Sequence, residues 1–597
     1  FLVTGGGAMH LNDAFARHPS IKVTCFHHEQ AAAIAAEAYT RVNQVPCAIN
    51  VTTGPGGLNA LVGVYGAYVD SIPMMVISGQ VKLETVAATY PLIPMRQLGD
   101  QEIDIVSMVR PIVKYVKVVK STAQIEIIMD RALFIMKHGR PGPVWIDVPI
   151  DIQGARMVGV VEKKNNGQLF IDQLLDDEGL TPNTFLELQA RNLLTLSSDL
   201  FAEALQRLEQ AKRPVILVGT GVTSYVARSM FLQWINSLDV PVVPGWNAMD
   251  IISTDHKNFS GRPGTVGDRA GNFAVQNADF ILVIGCRLNI RQISYNWKSF
   301  AKNAFKVMID VDQAELDKPT LSIDLKIHAT AEAFLKVAVD SGSRIQNKAH
   351  QIYRDWCLER VKNYPVVQES YRKSKSLNPY YFLNVLSKVL PEDAIVVAGN
   401  GAACVMTFQA FEVKSGQRIF TNSGCASMGY DLPAGIGACI ASGGKRKVYC
   451  IAGDGSIMMN LQELQTIASN SLPVKIILLN NDGYLSIKLT QAAYFADNIF
   501  GTGPSNGVGL PSFKKIAQAF GLQYGEVKSI EDFHSDRIQE LLMEPGSVFI
   551  EVFVDAEQSF LPKLASRKND DGSMTSPELE DMAPFLTREE LFSNILK

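Results

Sequence analysis

The chain is 597 residues long, with 47% hydrophobic residues, 19% charged residues and a formal net charge of -4. That balance is ordinary for a globular protein, lacks the basic excess a nucleic-acid partner requires, and at this length implies roughly three or four domains. Its longest apolar stretches are interrupted by Gly, Pro or charge well short of the roughly 18 to 20 residues a membrane span needs, so no membrane partner is expected.

The chain opens Phe1-Leu2-Val3-Thr4, with no Met and no charged signal region. It is read as starting inside a strand, with an N-terminal piece outside this numbering. Over residues 1–153 short β-rich runs (FLVT, IKVTCF, CAINVTT, MMVIS, PVWIDV) alternate with helical stretches and glycine turns, the pattern of a parallel α/β domain. Glu29 falls where IKVTCF gives way to the Ala-rich helix EQAAAIAAEAYTR; taken alone, it is a helix-start carboxylate stabilised by the dipole. Gly54-Pro55-Gly56-Gly57, with Asn59 just after it, is a loop between strand and helix. A further loop runs from Arg96 through Gln101 to Glu102.

Residues 154–198 lose this rhythm. They contain Lys163-Lys164-Asn165-Asn166-Gly167 and an acidic cluster near Asp176, and read as a linker with some helix. A second α/β unit, residues 199–343, includes Arg213-Pro214-Val215-Ile216-Leu217-Val218-Gly219-Thr220-Gly221, then the strands FILVIG, ending at Gly285, and KVMIDVD, which holds Asp310 and ends near Asp312. Gly219-x-Gly221 after a strand is by itself a weak dinucleotide signal, since short glycine turns are common. Residues 344–377, rich in Arg, Lys and Gln, form a helical connector, and residues 378–556 form a third α/β unit. The last stretch, 557–597, is polar and turn-rich until a capping box, Thr587-x-x-Glu590, opens a short helix; it reads as a solvated tail.

Eight cysteines, at 25, 47, 286, 357, 404, 425, 439 and 450, are scattered mostly through apolar runs with no C-x-x-C pair. They read as reduced core residues of a cytoplasmic protein.

The third unit holds the most informative stretch, Lys447 to Tyr484. An apolar run ends at Gly453-Asp454-Gly455-Ser456, a helical segment follows with Leu461, Leu464, Ile467 and Ala468 on one face, and a second apolar run, VKIILL, ends at Asn480-Asn481. Strand, crossover helix and parallel strand put both strand ends on one sheet edge, so Asp454 and Asn481 converge there. Oxygen ligands beside an anion held at Gly455 and Ser456 suit Mg²⁺. Gly-Asp-Gly alone is more often a turn; the downstream Asn-Asn changes the reading.

Gly-Asp-Gly followed by about 24 residues and Asn-Asn resembles the thiamine diphosphate motif. The resemblance implies three parallel-sheet domains: pyrimidine-binding, central Rossmann-like and diphosphate-binding. It also implies metal ligands at Asp454, Asn481 and the Gly483 carbonyl. Phe26-His27-His28-Glu29-Gln30 looks like the segment whose Glu hydrogen-bonds the aminopyrimidine ring and makes its imino group the internal base, which gives that part to Glu29. Residues 52–80 are similar to the acetolactate synthase branch, whose turn and following Asn approach the pyrimidine; Pro55 and Asn59 occupy those places. Gln101 gains an active-site role from the same branch, although its loop is about two residues shorter and lacks the preceding Phe.

By the same resemblance Asn400-Gly401 meets the diphosphate, where the branch usually has Gln-His, and Met428 is the apolar wedge that bends the cofactor so that its amine reaches C2. Gly285-Cys286-Arg287-Leu288-Asn289-Ile290-Arg291 looks like the branch's FAD segment, with Asn289 and Ile290 replacing two Asp. An FAD of structural rather than redox role is expected at Gly219, Thr220, Gly221, Gly285, Arg287, Asn289, Arg291 and Asp310. Thr490 stands where the branch that favours 2-ketobutyrate carries a Trp, which enlarges the acceptor side. The family tail folds over the active-site mouth, so residues 557–597 are also read as a lid. The implied activity is decarboxylating carboligation of pyruvate, two pyruvates giving 2-acetolactate and CO₂, in a homodimer or homotetramer with sites at the subunit interface. Transfer of a pyruvate-derived acetyl unit to a larger ketone, such as a nucleotide-linked keto sugar, and simple 2-keto acid decarboxylation are the alternatives.

Overall fold

A computed structural model of the chain describes residues 1–157, 174–175, 177–189, 196–342, 345–495, 498–568 and 571–596. The basic run Lys163–Gly167 and Asp176 lie outside the described residues.

Three parallel sheets carry the fold. The first has the order β1-β2-β4-β3, from β1 (Cys47–Val51), β2 (Met74–Gln80), β3 (Tyr115–Val118) and β4 (Val144–Pro149). Both β2 and β4 are buried along their length, which is why they lack a polar–apolar alternation; their polar members Ser78, Gln80 and Asp147 bond to one another across the pair. FLVT and IKVTCF contribute only single parallel bridges, Leu2 to Asn50 and Leu2 to Cys25. The first run stops early because Gly5 and Gly7 press against Thr52 and Thr53, where an added Cβ would lie 2.4 and 1.9 Å from side-chain atoms.

The central sheet has the order β6-β5-β7-β8-β9, from β5 (Pro214–Val218), β6 (Val242–Pro244), β7 (Phe280–Ile284), β8 (Phe305–Asp310) and β9 (Leu325–His328). The third has the order β11-β10-β12-β13-β15-β14, from β10 (Ile395–Ala398), β11 (Arg418–Phe420), β12 (Val448–Gly453), β13 (Val474–Asn480), β14 (Gln523–Val527) and β15 (Val548–Phe553). In both, the chain turns one way from an inner strand and then the other. The resulting switch points, between β5 and β7 and between β10 and β12, are where open α/β sheets bind ligands beyond their carboxyl edges.

The alanine run after Glu29 has a packing cause. The helix Glu29–Asn43 is sandwiched between the helix Leu61–Val69 and the helix Asp431–Ser442, with Ala31, Ala32, Ala33, Ala35 and Ala36 fully buried. Gly63 and Gly437 let the neighbours approach: a Cβ on Gly63 would lie 2.5 Å from Ala33, and one on Gly437 2.0 Å from the Ala35 carbonyl. The N-terminal and C-terminal sheets are thereby locked together within one chain. The junction also buries ions. Arg41 pairs with Glu37 and, at 2.6 Å, with Asp70. Asp70 in turn accepts from Asn247 of the central unit at 3.2 Å, and Asn247 accepts from Ser423 of the third at 2.6 Å.

The end of the chain corrects the expectation of a solvated tail. Leu579, Met582 and Leu591 are buried, and the helix Arg269–Gln276 donates to it: Asn272 to the Leu579 carbonyl at 2.9 Å and Gln276 to Glu580 at 2.7 Å. Thr587 caps the helix Arg588–Ser593 by accepting the Glu590 N–H, but the box is half formed. The Glu590 carboxylate turns away to accept the Tyr364 hydroxyl at 3.0 Å. These partners come from the distant helices Arg269–Gln276 and Lys348–Asn363, which local composition does not reveal.

Candidate active site

β12 and β13 pair in parallel from Val448 opposite Val474 to Gly453 opposite Leu479, so Asp454 and Asn481 emerge side by side. Asp454 is 1% exposed. Its Oδ1 accepts the Gly455 N–H at 2.7 Å, and its Oδ2 accepts the N–H groups of Asn481 at 3.0 Å and Gly483 at 2.9 Å. Burial pushes this carboxyl up to about 6, against the pull of those three main-chain donors. Asn481 Oδ1 is buried and has no protein partner. A buried carboxylate beside an orphaned amide oxygen is the donor set a hard cation satisfies, so the residues present fit Mg²⁺. The loop geometry admits only glycine at 483: φ is +122°, and a Cβ would lie 2.1 Å from the Thr502 carbonyl.

Around this edge the other expected residues gather. Ser456 Oγ donates to Asp431 at 2.5 Å and accepts the Gly429 N–H at 2.9 Å, which holds the half-buried Met428 in place. Asn400, just beyond β10, donates both amide protons inward, to Asn422 Oδ1 and to the Ser427 carbonyl, each at 2.7 Å. Its side chain therefore braces the Met428 segment, and the Gly401 position beside it is exposed.

A second cluster forms on the N-terminal unit. Glu29 is 8% exposed, and its Oε2 accepts from Asn59 Nδ2 at 3.0 Å. His28 caps the helix by accepting the Gln30 N–H at 3.1 Å. Gly54, at φ +62°, lies so close to Gln101 that a Cβ would stand 2.1 Å from the Gln101 carbonyl. Pro55, Asn59 and Gln101 are exposed around the buried Glu29. Among the described residues no hydrogen bond or ion pair joins the Glu29 cluster to Asp454 or Asn481.

The central switch point opens a cleft of about 520 Å³. Gly219, Thr220, Gly221, Gly285, Arg287, Asn289 and Asp310 all line it. Burial pushes the Asp310 carboxyl up to about 6. Arg291 is not in this lining; its guanidinium sits 5.0 Å above the Trp246 ring. Arg140, which the sequence reading did not nominate, lines this cleft and an adjoining one of about 750 Å³. It donates to Asp312 at 2.9 Å and Glu315 at 3.0 Å. The available signal was its place in Arg140-Pro141-Gly142-Pro143, a rigid turn ahead of β4.

Comparison with known proteins agrees with this layout. The profile described as thiamine pyrophosphate enzyme, N-terminal TPP binding domain, matches residues 1–108; the central domain of the same enzymes matches 201–337, and their C-terminal TPP binding domain matches 399–552. The chain is 30% identical over 553 residues to an acetolactate synthase large subunit of Pyropia yezoensis, covering 92% of this chain and 87% of that one. It is 29% identical over 569 residues to the acetolactate synthase isozyme 1 large subunit of Escherichia coli (strain K12), covering 94% and 92%. Identity to the chloroplastic acetolactate synthase 2 of Nicotiana tabacum is 29% over 577 residues, covering 95% and 81%.

Proposed function

The chain belongs to the thiamine pyrophosphate (thiamine diphosphate) enzyme family, in the branch of the acetolactate synthase large subunits, and from that premise we propose that it converts two pyruvates into 2-acetolactate and CO₂. The observation that carries the cofactor reading is the buried Asp454 carboxylate, which accepts the Asn481 N–H while the Asn481 side-chain oxygen is buried without a protein partner. Asp454, Asn481 and the Gly483 carbonyl would hold Mg²⁺ on the cofactor's diphosphate, with Gly453, Gly455, Ser456 and Gly401 bordering it. When bound, thiamine diphosphate supplies a thiazolium carbon that adds to a keto carbon and holds the electron pair left by departing CO₂.

The chain's own part is positioning and proton handling. Glu29, oriented by Asn59, holds a proton at the aminopyrimidine ring nitrogen and so activates the neighbouring amine as base. Pro55 shapes the wall beside it. Met428, whose segment is braced by Asn400 and Ser456, would support the cofactor from below. Gln101, exposed next to Gly54, orients the substrate. The family resemblance assigns the Glu29 and Asp454 clusters of a complete site to two copies of the chain, in a homodimer or homotetramer. The cleft at Gly219–Gly221, Gly285, Arg287, Asn289 and Asp310 takes FAD as a structural group. All eight cysteines are unpaired, which fits a reducing, cytoplasmic setting.

Purified protein given Mg²⁺, thiamine diphosphate and pyruvate should form acetolactate; release of CO₂ with acetaldehyde as the sole organic product refutes carboligation. A visible flavin absorbance band that stays with the protein through gel filtration supports the FAD assignment, and its absence after incubation with FAD and gel filtration refutes it.

One observation favours a second reading. Thr490, on the exposed side of the helix Leu485–Phe495, spends its hydroxyl on the Ser486 carbonyl and offers no bulky ring to the acceptor side. A larger ketone, such as a nucleotide-linked keto sugar, then receives the acetyl unit. Competition between pyruvate alone and pyruvate with such ketones separates the two products.

A further inference from the structure

The crossover between β12 and β13 carries a carboxylate that its packing does not require. Glu463 opens the helix Glu463–Ser469 and is 0% exposed, among Leu464, Thr466 and Ile467. Its two oxygens are satisfied by neutral donors. Oε1 accepts the His27 main-chain N–H at 3.1 Å, and Oε2 accepts the Thr466 hydroxyl at 2.5 Å. Burial raises its carboxyl above the usual range, while Thr466 and the main chain at His27 and His28 pull it back down.

The His27 contact links positions 436 residues apart in sequence. It reaches the corner where the chain leaves its bridge at Cys25 and enters the helix that begins at Glu29. From the other side, His28 fixes the same corner through the Gln30 N–H at 3.1 Å. A helix's first side chain is aimed by the path of the chain into it, so this corner sets where the Glu29 carboxylate points. Asn59 then completes its orientation at 3.0 Å.

We propose that Glu463 is a positioning residue for Glu29, holding the corner His27–His28 from the third domain through the His27 N–H. This rests on the reading of Glu29 given under Proposed function. It has a consequence for the assembly: the crossover that presents Asp454 and Asn481 to one site also steadies the Glu29 that serves the other site of a two-copy enzyme. The two sites share one mechanical element in each chain.

The test compares Glu463→Gln, which keeps an Oε1 acceptor, with Glu463→Ala, which removes it. Turnover of Glu463→Ala is expected to fall about 10- to 100-fold, with pyruvate KM and Mg²⁺–thiamine diphosphate affinity within about 3-fold. Glu463→Gln restores turnover to within about 3-fold of the unaltered protein. In protein without cofactor, amide hydrogen exchange over His27–Gln30 rises about 10-fold in Glu463→Ala only. Should Glu463→Ala not fold, His27→Pro deletes the donor instead, and the same turnover loss is expected. Unchanged turnover in either variant, or a parallel loss of cofactor affinity that Gln does not rescue, overturns the proposal. Glu29→Gln run alongside separates the two readings. Full turnover there refutes the role of Glu29, and the hold on the corner is then decided by exchange alone: wild-type exchange in Glu463→Ala refutes it.

Discussion

Asp454 and Asn481 meet through the main chain: the carboxylate accepts the Asn481 N–H at 3.0 Å, which leaves the Asn481 side-chain oxygen buried and unpaired beside it. The parallel register of β12 and β13 produces this meeting, and the turn residues after each strand make it polar.

Removing either side chain should therefore abolish cofactor retention before it harms the fold. Asp454→Ala and Asn481→Ala are expected to weaken Mg²⁺–thiamine diphosphate binding by more than about 100-fold, read by calorimetric titration. Chelation of Mg²⁺ should release the cofactor from the unaltered protein, and added Mg²⁺ should restore it. Tight binding in both variants would refute the metal assignment.

Glu29→Gln keeps the shape and the Asn59 contact while removing the carboxylate. Turnover should drop by about 10²- to 10⁴-fold, the usual worth of a positioned acid–base group, with cofactor affinity within a few-fold. Steady-state kinetics and titration on the same preparation decide it.

Complementation tests the two-copy site. Chains carrying Glu29→Gln and chains carrying Asp454→Ala are each expected to be inactive. Their mixed dimers place an intact Glu29 opposite an intact Asp454 at one site of two, so random co-assembly should recover about a quarter of full activity. A site built within one chain gives none.

Asp147 supplies a pH dependence. It is buried in β4, accepting from Ser78 Oγ at 2.5 Å and Gln80 Nε2 at 3.2 Å, and burial pushes its carboxyl from 3.8 up to about 7. The folded chain thus holds a proton that the unfolded chain has released between those values. Its contribution to stability is full below about pH 4 and is lost as pH rises through about 7. Asp147→Asn should flatten that decline, measured as denaturation midpoints between about pH 4 and pH 8.

Much of this architecture is legible in the sequence wherever a strand is buried on both faces. VKIILL and KVYCIAG are recognisable as parallel strands because each is apolar up to the turn apart from one lysine near its start, Lys475 and Lys447. Other strands escape the same logic. β3 places Lys117 in mid-strand, and the residue is tolerated because its ammonium pairs with Asp177 at 3.1 Å and Glu178 at 3.0 Å. The individual half-sites were equally readable, since Asp454 and Asn481 depend on two strands and one crossover. The place of Glu29 relative to them came only from the family resemblance, because it depends on how whole domains dock. Glu463 was overlooked for a related reason: on a helix read for its apolar face, a carboxylate counts as surface until its distant donor is known.

The small polar knot at Asp70 bears on how the molecule comes apart. Arg41 and Asp70 of the first unit, Asn247 of the second and Ser423 of the third form one run of contacts, so loosening the central unit takes the Asn247 hydrogen bond from the buried Asp70 and the partner from the Ser423 hydroxyl. Heating should consequently give a single calorimetric peak instead of three, and Asp70→Ala should split that peak by letting the pieces melt independently.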